Sequence, residues 1–279
     1  MDLKKAMGYV REGFERFESR GVTLLRVPAF EKTGIVSHCF TTRKGGVSKG
    51  PFDSLNLSWK RYSAIEEIAK NYAIAAQAIG VDPGNLVLAN SVHGDDILRV
   101  DEADRGRGLR EAPCPPADAL VTNARNVALS TMHADCFPVF IVDTGSRAIA
   151  LCHSGWKGTV SKIASKAVRR MSEEFGTQPA GCLAAIGPGI QPCCFEVDEN
   201  VANEFMSAYP ALECVQHVKN SKYRVNIQAC CLVQLLESGI PAKNITVSGL
   251  CTSCDADLFF SYRREKGETG AMASIIEIK

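Results

Sequence analysis

Short runs of apolar residues, some alternating and some continuous, set the class of this chain. IVSHCFTTR, residues 35 to 43, reads as a strand that runs into the turn KGG, where glycine permits backbone angles other residues avoid. Six more runs, LVLANSV, DILRV, DALVT, VALSTM, FPVFIVD and AIALCH, follow between residues 86 and 153. Each is short and rich in branched or apolar side chains, the pattern of strands. Helical periods flank them. Residues 64 to 79, AIEEIAKNYAIAAQAI, form one such segment, stopped by Gly80 and Pro83. After AIALCH, the positions Val160, Ile163, Ala164, Ala167, Val168, Met171 and Phe175 lie on one helical face closed by Gly176. The other face, with Lys162, Lys166, Arg169 and Arg170, is solvated. CLAAIGP predicts a strand, residues near 198–208 and 227–238 predict helices, and FFSY and ASIIEI predict closing strands. The first eighteen residues predict a helix, with Val10, Phe14 and Phe17 along one side.

The result is a mixed α/β chain without repeats or low-complexity linkers. The segment 101–117, DEADRGRGLREAPCPPA, has the charge, glycine and proline content of a surface excursion rather than a domain boundary. One catalytic domain over 35–279 is therefore expected, preceded by a helical extension and lead-in over 1–34.

Composition narrows the partners. A chain of 279 residues with 46% hydrophobic content supports a sizeable core. Lys and Arg total 32 against 31 for Asp and Glu, so no strong field exists to hold nucleic acid or an anionic membrane surface. Small ligands are favoured. MDLKKAMGYVREGFERFES contains no apolar leader, and no run approaches membrane-spanning length, so a cytoplasmic protein is expected. In that reducing compartment the 12 cysteines are expected as free thiols, mostly in the core, or as metal ligands.

Candidate chemistry gathers at strand ends. HADCFPVF places Cys136 at the mouth of an apolar strand, His153 ends AIALCH, and His93 sits in SVHGDD before a glycine. Singly, each reads more simply as a core thiol or a strand-edge imidazole. Together they are how a sheet protein builds a site on rigid elements. Two imidazoles and a thiolate suit zinc and leave a fourth position open, the mark of a catalytic rather than a structural site. The spacing, with 42 residues between His93 and Cys136 and 16 between Cys136 and His153, has none of the specificity of a zinc-finger pattern.

Other cysteines read differently. Cys251 and Cys254 in CTSCD are half of a structural zinc site and are assigned to core or turn. The doublets Cys193-Cys194 and Cys230-Cys231 point neighbouring side chains apart, which suits packing better than chelation. Two anion sites are also expected: the helix start in HSGWKGTVSKIAS, with Thr159 as cap and Lys157 nearby, and Arg43 beside the turn of TTRKGG. YRREKGETG reads as a solvated hairpin.

In order along the chain, FTTRKGGVSKGPFDSLNL, SVHG, ADALVT, HADCFPVF, HSGWKG, IGPGIQPCCFEV, CTSCDADLFFSYRR and TGAMASIIEI resemble the motifs of the laccase-domain proteins. These are labelled multicopper polyphenol oxidoreductases, and members are also described as purine nucleoside phosphorylases with adenosine deaminase activity. The resemblance implies a single-domain α/β/β/α sandwich with a mixed central sheet, of the cytotoxic-necrotizing-factor-like cysteine-hydrolase type. It implies zinc on His93, Cys136 and His153. Departures are Ser91 where the family has glutamine, His133 where it has threonine, and Ser154 and Lys157 in the segment it writes HAGWRG. Copper is disfavoured, because five histidines in the whole chain are too few for the imidazole-rich sites of a multicopper oxidase.

The function so implied is zinc-dependent phosphorolysis of adenosine, inosine and methylthioadenosine to free base and (methylthio)ribose 1-phosphate, with adenosine deamination. Asp135 is the candidate proton shuttle, and Arg43, Lys157 and Thr159 are the candidate phosphate contacts. The partners are then a nucleoside and inorganic phosphate, and the protein a monomer or small homo-oligomer. Two other readings use the same residues. In one, Cys136 activated by His153 is the nucleophile of a hydrolase or amidase acting on a small amide or cell-wall precursor. In the other, the thiol and imidazoles of a non-catalytic binding protein are structural.

Overall fold

Strands that are apolar on both sides need cover on both faces, and two stacked sheets with outer helices supply it. The structure is a computed structural model, and it describes residues 10–59 and 65–279. Its strands are β1 (Arg11–Glu12), β2 (Glu15–Ser19), β3 (Val22–Arg26), β4 (Val36–Thr41), β5 (Leu86–Leu88), β6 (Ile97–Arg99), β7 (Ala119–Thr122) and β8 (Ala128–His133) in the first half. In the second half come β9 (Phe137–Asp143), β10 (Ala148–Ser154), β11 (Cys182–Ile186), β12 (Glu196–Asp198), β13 (Val215–Lys219), β14 (Lys222–Val225), β15 (Ile245–Val247) and β16 (Met272–Ile278). The helices are α1 (Pro28–Glu31), α2 (Ile65–Ala78), α3 (Trp156–Val160), α4 (Ile163–Phe175), α5 (Glu199–Ala208) and α6 (Ile227–Glu237). One mixed sheet runs β1-β15-β11-β9-β10-β7-β6, a second runs β2-β3-β4-β16-β8-β5, and a small antiparallel sheet runs β12-β14-β13.

The period-2 rule for side-chain direction sorts the core into layers. From β9, Phe137, Val139 and Ile141 join Ile163, Ala167 and Met171 of α4 and Leu235 of α6. Its alternate residues Phe140 and Val142 pack with Leu129 of β8 and Ile276 of β16, which belong to the second sheet. On the far side of that sheet, Ile68, Tyr72 and Ala75 of α2 cover Leu24, Cys39 and Ile275. The layer order is helix, sheet, sheet, helix, as expected. Full burial of each such Leu, Ile or Phe contributes about 1.5–3 kcal/mol.

Three expectations need correction. Residues 15–26 form a hairpin, β2 and β3, whose turn puts Arg20 and Gly21 at φ +51° and +79°, the twist that suits a two-residue hairpin. β1 joins the first large sheet and this hairpin joins the second through β3, so this stretch is not a helical extension. The part of that helix falling on residues 1–9 lies outside the described residues. FFSY is not a strand: Phe259 and Phe260 are buried between turns, packed with Leu25, Phe40 and Met272. The helix expected from Val160 is two helices, broken where Lys162 adopts φ +61°; the second ends at Gly176 as expected, with φ +68°.

His38 on β4 is a buried base held neutral. Its Nε2 accepts from the Val27 amide at 2.8 Å, and Nδ1 faces Glu31 Oε1 at 3.4 Å without forming a hydrogen bond. Burial, reinforced by Lys279 and Arg26, lowers its pKa from 6.5 to about 3. The unfolded chain takes up a proton near pH 6.5 that the folded chain refuses. Stability is therefore full above that value and falls, by up to about 1.4 kcal/mol per unit, as pH drops from about 6.5 toward about 3. Urea midpoints measured from pH 7 to pH 4 are expected to decline. His38→Gln, which keeps an acceptor for Val27 and cannot titrate, is expected to flatten the slope. An equally steep decline in that variant would refute the assignment.

Candidate functional site

Strand register builds the site. β9 and β10 pair antiparallel with His153 opposite Pro138 and Ser154 opposite Phe137, so Cys136, just before β9, arrives where β10 ends. β7 and β10 pair antiparallel up to Cys152 opposite Ala119; one step further sets Asp118 against His153. The third contributor, His93, comes from the turn after β5 in a left-handed conformation, φ +62°. Ligand atoms of His93, Cys136 and His153 lie within 4.8 Å of one another. His93 is exposed, Cys136 half-buried and His153 buried, so the cluster is anchored at the back and open at the front.

Asp118 is the anchor. It is fully buried, and its carboxylate accepts the backbone N–H groups of Val92 at 3.0 Å, His93 at 3.1 Å and Gly94 at 2.7 Å. It also lies 2.8 Å from His153 Nδ1. A carboxylate held by that many donors is ionised and acceptor-only, so His153 carries its proton on Nδ1 and offers Nε2 to the cluster. Burial opposes ionisation, but the bonds from His153, Gly94 and Val92 hold the Asp118 pKa below its usual value. One carboxylate thus orients two of the three candidate ligands. Sequence reasoning missed it because Asp118 is one acid before an apolar strand; its partner lies 35 residues away and only register joins them.

The electrostatics favour a charged pair. Burial would push the Cys136 thiol up, yet His153 and His93 bring it down to about 6. Burial would lower His153, yet Cys136 and Asp118 raise it to about 10. A thiolate and two imidazole nitrogens within reach of one point fit a divalent zinc ion with one position open, and the Asp118–His153 bond is the outer support such ligands need.

Close approach is enforced by glycine. A Cβ on Gly155 would sit 3.2 Å from Cys136 Sγ and 3.3 Å from His93 Cδ2, and one on Gly158 would sit 2.7 Å from the Gly94 carbonyl oxygen. His133, also missed as a site residue, lies behind the cluster. Its ring centroid is 5.4 Å from that of His153. Its Nδ1 donates to the Cys136 carbonyl at 3.1 Å and its Nε2 is 2.8 Å from the Thr131 hydroxyl. Burial, with His153 nearby, holds its pKa well below 6.5. It is a brace rather than a ligand. The cleft in front measures ≈ 480 Å³ including its open mouth and is lined also by Ser58, Ser91, Met132 and Ala271. It is a shallow cleft that opens to solvent in front of the cluster.

The remaining expected residues are placed elsewhere. Asp135, at φ +88°, has both carboxylate oxygens engaged, accepting from the Thr252 hydroxyl at 2.7 Å and the Arg263 amide at 2.8 Å. Thr159 is not a cap. Gly155 is the N-cap of α3, and Thr159 is fully buried, bonded to Ser154 Oγ and the Gly155 carbonyl at 2.8 Å each. Arg43 is spent on structure, donating to the Asp53 and Ala256 carbonyls and pairing with Glu265 at 3.3 Å. Its guanidinium lies 4.4 Å from the Phe260 ring centroid, and it lines a different cleft. Lys157 is exposed, its ammonium 5.6 Å from the Trp156 ring centroid at the start of α3, and does not line the cleft. YRREKGETG is not a solvated hairpin: Arg264 donates to the Thr252 and Phe259 carbonyls and pairs with Glu265.

Known proteins resemble this chain over most of its length. Residues 37–279 match the family model described as multi-copper polyphenol oxidoreductase laccase. Purine nucleoside phosphorylase YlmD of Bacillus subtilis is 34% identical over 243 residues, 86% of this chain and 87% of that protein. A purine nucleoside phosphorylase of Deinococcus radiodurans is 36% identical over 256 residues, 92% of this chain and 93% of that one. The crystal structure of YlmD from Geobacillus stearothermophilus superposes with a TM-score of 0.89 at 32% identity, covering 95% of this chain and 98% of that one.

Proposed function

The chain belongs to the multi-copper polyphenol oxidoreductase laccase family, and from that premise we propose that it is a purine nucleoside phosphorylase acting at the His93–Cys136–His153 cleft. The observation that carries the reading is the meeting of two imidazoles and a thiol at an open cleft, with Asp118 fixing both histidines. Zinc held by His93, Cys136 and His153 would supply Lewis acidity toward an oxygen or nitrogen of the ligand. The older copper label fits the residues poorly. Of five histidines, His38 is buried on β4, His217 lies on β13 and His133 has both ring nitrogens engaged.

In the proposed phosphorolysis an oxygen of inorganic phosphate attacks C1′ of the ribose as the C1′–N9 bond breaks, giving free base and ribose 1-phosphate. Lys157 is the proposed phosphate contact, and Ser58 and Ser91 supply hydroxyls along the cleft wall. Asp118 keeps the proton on His153 Nδ1 throughout, so Nε2 stays available to the cluster. In the proposed deamination, water adds at C6 of adenosine and ammonia leaves. Adenosine, inosine and methylthioadenosine are the proposed substrates.

The test is incubation with adenosine and inosine, with and without phosphate, resolving inosine, free base and ribose 1-phosphate. Base release is expected only with phosphate, and conversion of adenosine to inosine in its absence. Lack of phosphate-dependent base release would overturn the reading. The lowered Cys136 thiol beside His153 favours one competitor, a cysteine hydrolase of small amides; an acyl adduct on Cys136, found by mass spectrometry, would establish that competitor instead.

A further inference from the structure

Four cysteines that spacing assigns to packing or turns meet at the protein surface. The sulfurs of Cys193, Cys194, Cys251 and Cys254 all lie within 4.8 Å of one another, with Cys254 3.5 Å from Cys193 and 3.4 Å from Cys194. We propose that these four thiolates hold a structural zinc ion, a second metal position separate from the His93–Cys136–His153 cleft.

The distances suit a single ion. Four sulfurs placed tetrahedrally at a Zn–S bond of about 2.3 Å stand about 3.8 Å apart, close to the two contacts seen. Both contacts are well beyond the ~2.05 Å of a disulfide. An all-sulfur tetrahedral set selects zinc or iron, and a multi-iron cluster would spread its cysteines further apart than one ion does. Charge makes the same demand. Thiolates packed side by side repel one another and ionise together only around a cation. The N–H of Gln191, aimed at Cys251 Sγ at 3.4 Å, is the kind of outer bond that supports a thiolate ligand.

The backbone explains why the doublet converges. Neighbouring side chains diverge in a helix or strand, but Cys193 and Cys194 lie in a turn in which the amides of Cys194 and Phe195 both return to the Gln191 carbonyl at 2.9 Å. Cys251 and Cys254 lie in another, closed by the Asp255 amide on the Cys251 carbonyl at 3.1 Å. These turns follow β11 and β15, which are parallel neighbours, and a parallel bridge joins Gly189 to Cys251. The CxxC therefore finds its missing half at the end of the neighbouring strand.

The ion would brace the cleft next door. Thr252, next to Cys251, donates to the Asp135 carboxylate, and the Ile190 amide, from the other turn, donates to the Asp135 carbonyl at 2.8 Å. Asp135 precedes Cys136. Pinning the two turns together thus fixes the backbone that presents the Cys136 sulfur.

Metal analysis of the full chain with His93→Ala, Cys136→Ala and His153→Ala together isolates this site from the cleft. About one zinc per chain is expected to survive gel filtration, since thiolate sites bind zinc tightly. Cobalt substitution is expected to give thiolate-to-metal charge-transfer absorption in that triple variant. Adding Cys193→Ser and Cys254→Ser is expected to abolish both. A triple variant without tightly held zinc or cobalt absorption would overturn the proposal even if the added serines prevented folding. So would brown protein with acid-labile sulfide, or a disulfide joining Cys254 to Cys193 or Cys194 in freshly purified protein. Failure of nucleoside turnover would leave this result untouched, because the triple variant lacks the cleft ligands by design.

Discussion

Cys136→Ala is expected to lower the proposed turnover of purine nucleosides by about a thousandfold, the loss of roughly 4 kcal/mol of transition-state stabilisation that displacing the proposed metal represents. The side chain is half-buried and faces His93, His153 and the bare Cα of Gly155. Removing it leaves no large core void. Its backbone carbonyl, which receives the His133 proton, is unchanged. Far-UV circular dichroism should therefore be unaltered while phosphorolysis, followed as free base by chromatography, collapses. The zinc proposed for the cleft should fall with it, because two imidazoles alone are a poor set for the ion. A variant retaining more than about a third of the wild-type rate would remove Cys136 from the chemistry. Loss of deamination with phosphorolysis intact would restrict the thiol to the hydrolytic reaction.

The parts of this site that could be read from the chain are those that depend on local pattern. Cys136 and His153 were visible because each closes a run of apolar residues, and such runs become strands whose ends converge when adjacent. His93 was visible because a glycine turn follows a similar run. Asp118 had no such signal: its role exists only because β7 and β10 pair with Ala119 opposite Cys152. The same limit hid the Cys193–Cys254 group, whose two halves belong to turns that a parallel strand pair brings together.

Where the reading failed, two structures shared one pattern. Val10, Phe14 and Phe17 satisfy a helical period, but the overlooked cue was Arg20-Gly21, a two-residue turn followed by Val-Thr-Leu-Leu. Thr159 reads as a cap because threonine precedes an apolar period, yet Gly155 is the cap and Thr159 lies inside the helix. Thr159 is drawn instead into a buried network in which Tyr209 and Gln234 both donate to its carbonyl. YRREKGETG looks solvated because it is charged, while its arginines spend their donors on carbonyls of neighbouring turns. Charge in sequence does not distinguish a hydrated side chain from one that ties loops together.

Asp118→Asn is expected to be the most damaging isosteric change in the protein. The carboxylate receives Val92 and Gly94 on Oδ2, and His93 and His153 on Oδ1. An asparagine must turn its NH2 toward one of these pairs, setting donor against donor whichever way it lies. If it faces Oδ2's partners, the turn carrying His93 loses two anchors. If it faces His153, the imidazole must move its proton to Nε2, the nitrogen the cluster needs. Leaving buried donors unpaired costs about 1–3 kcal/mol each, so a loss of about 2–4 kcal/mol of stability is expected at pH 7. That gap follows a definite sign. The folded Asp118 pKa lies below its ordinary value, so its contribution is full above the unfolded carboxylate range and is lost as pH falls through the folded value. Wild type and variant should therefore converge in acid. A purely structural residue would show only this. If Asp118 orients the proposed metal ligands, Asp118→Asn should also weaken zinc binding in the cleft by about 10–100-fold, with activity recovering as zinc is added at a temperature where the variant remains folded. Unchanged zinc affinity in folded Asp118→Asn would reduce Asp118 to a loop anchor and separate the fold of this cleft from its chemistry.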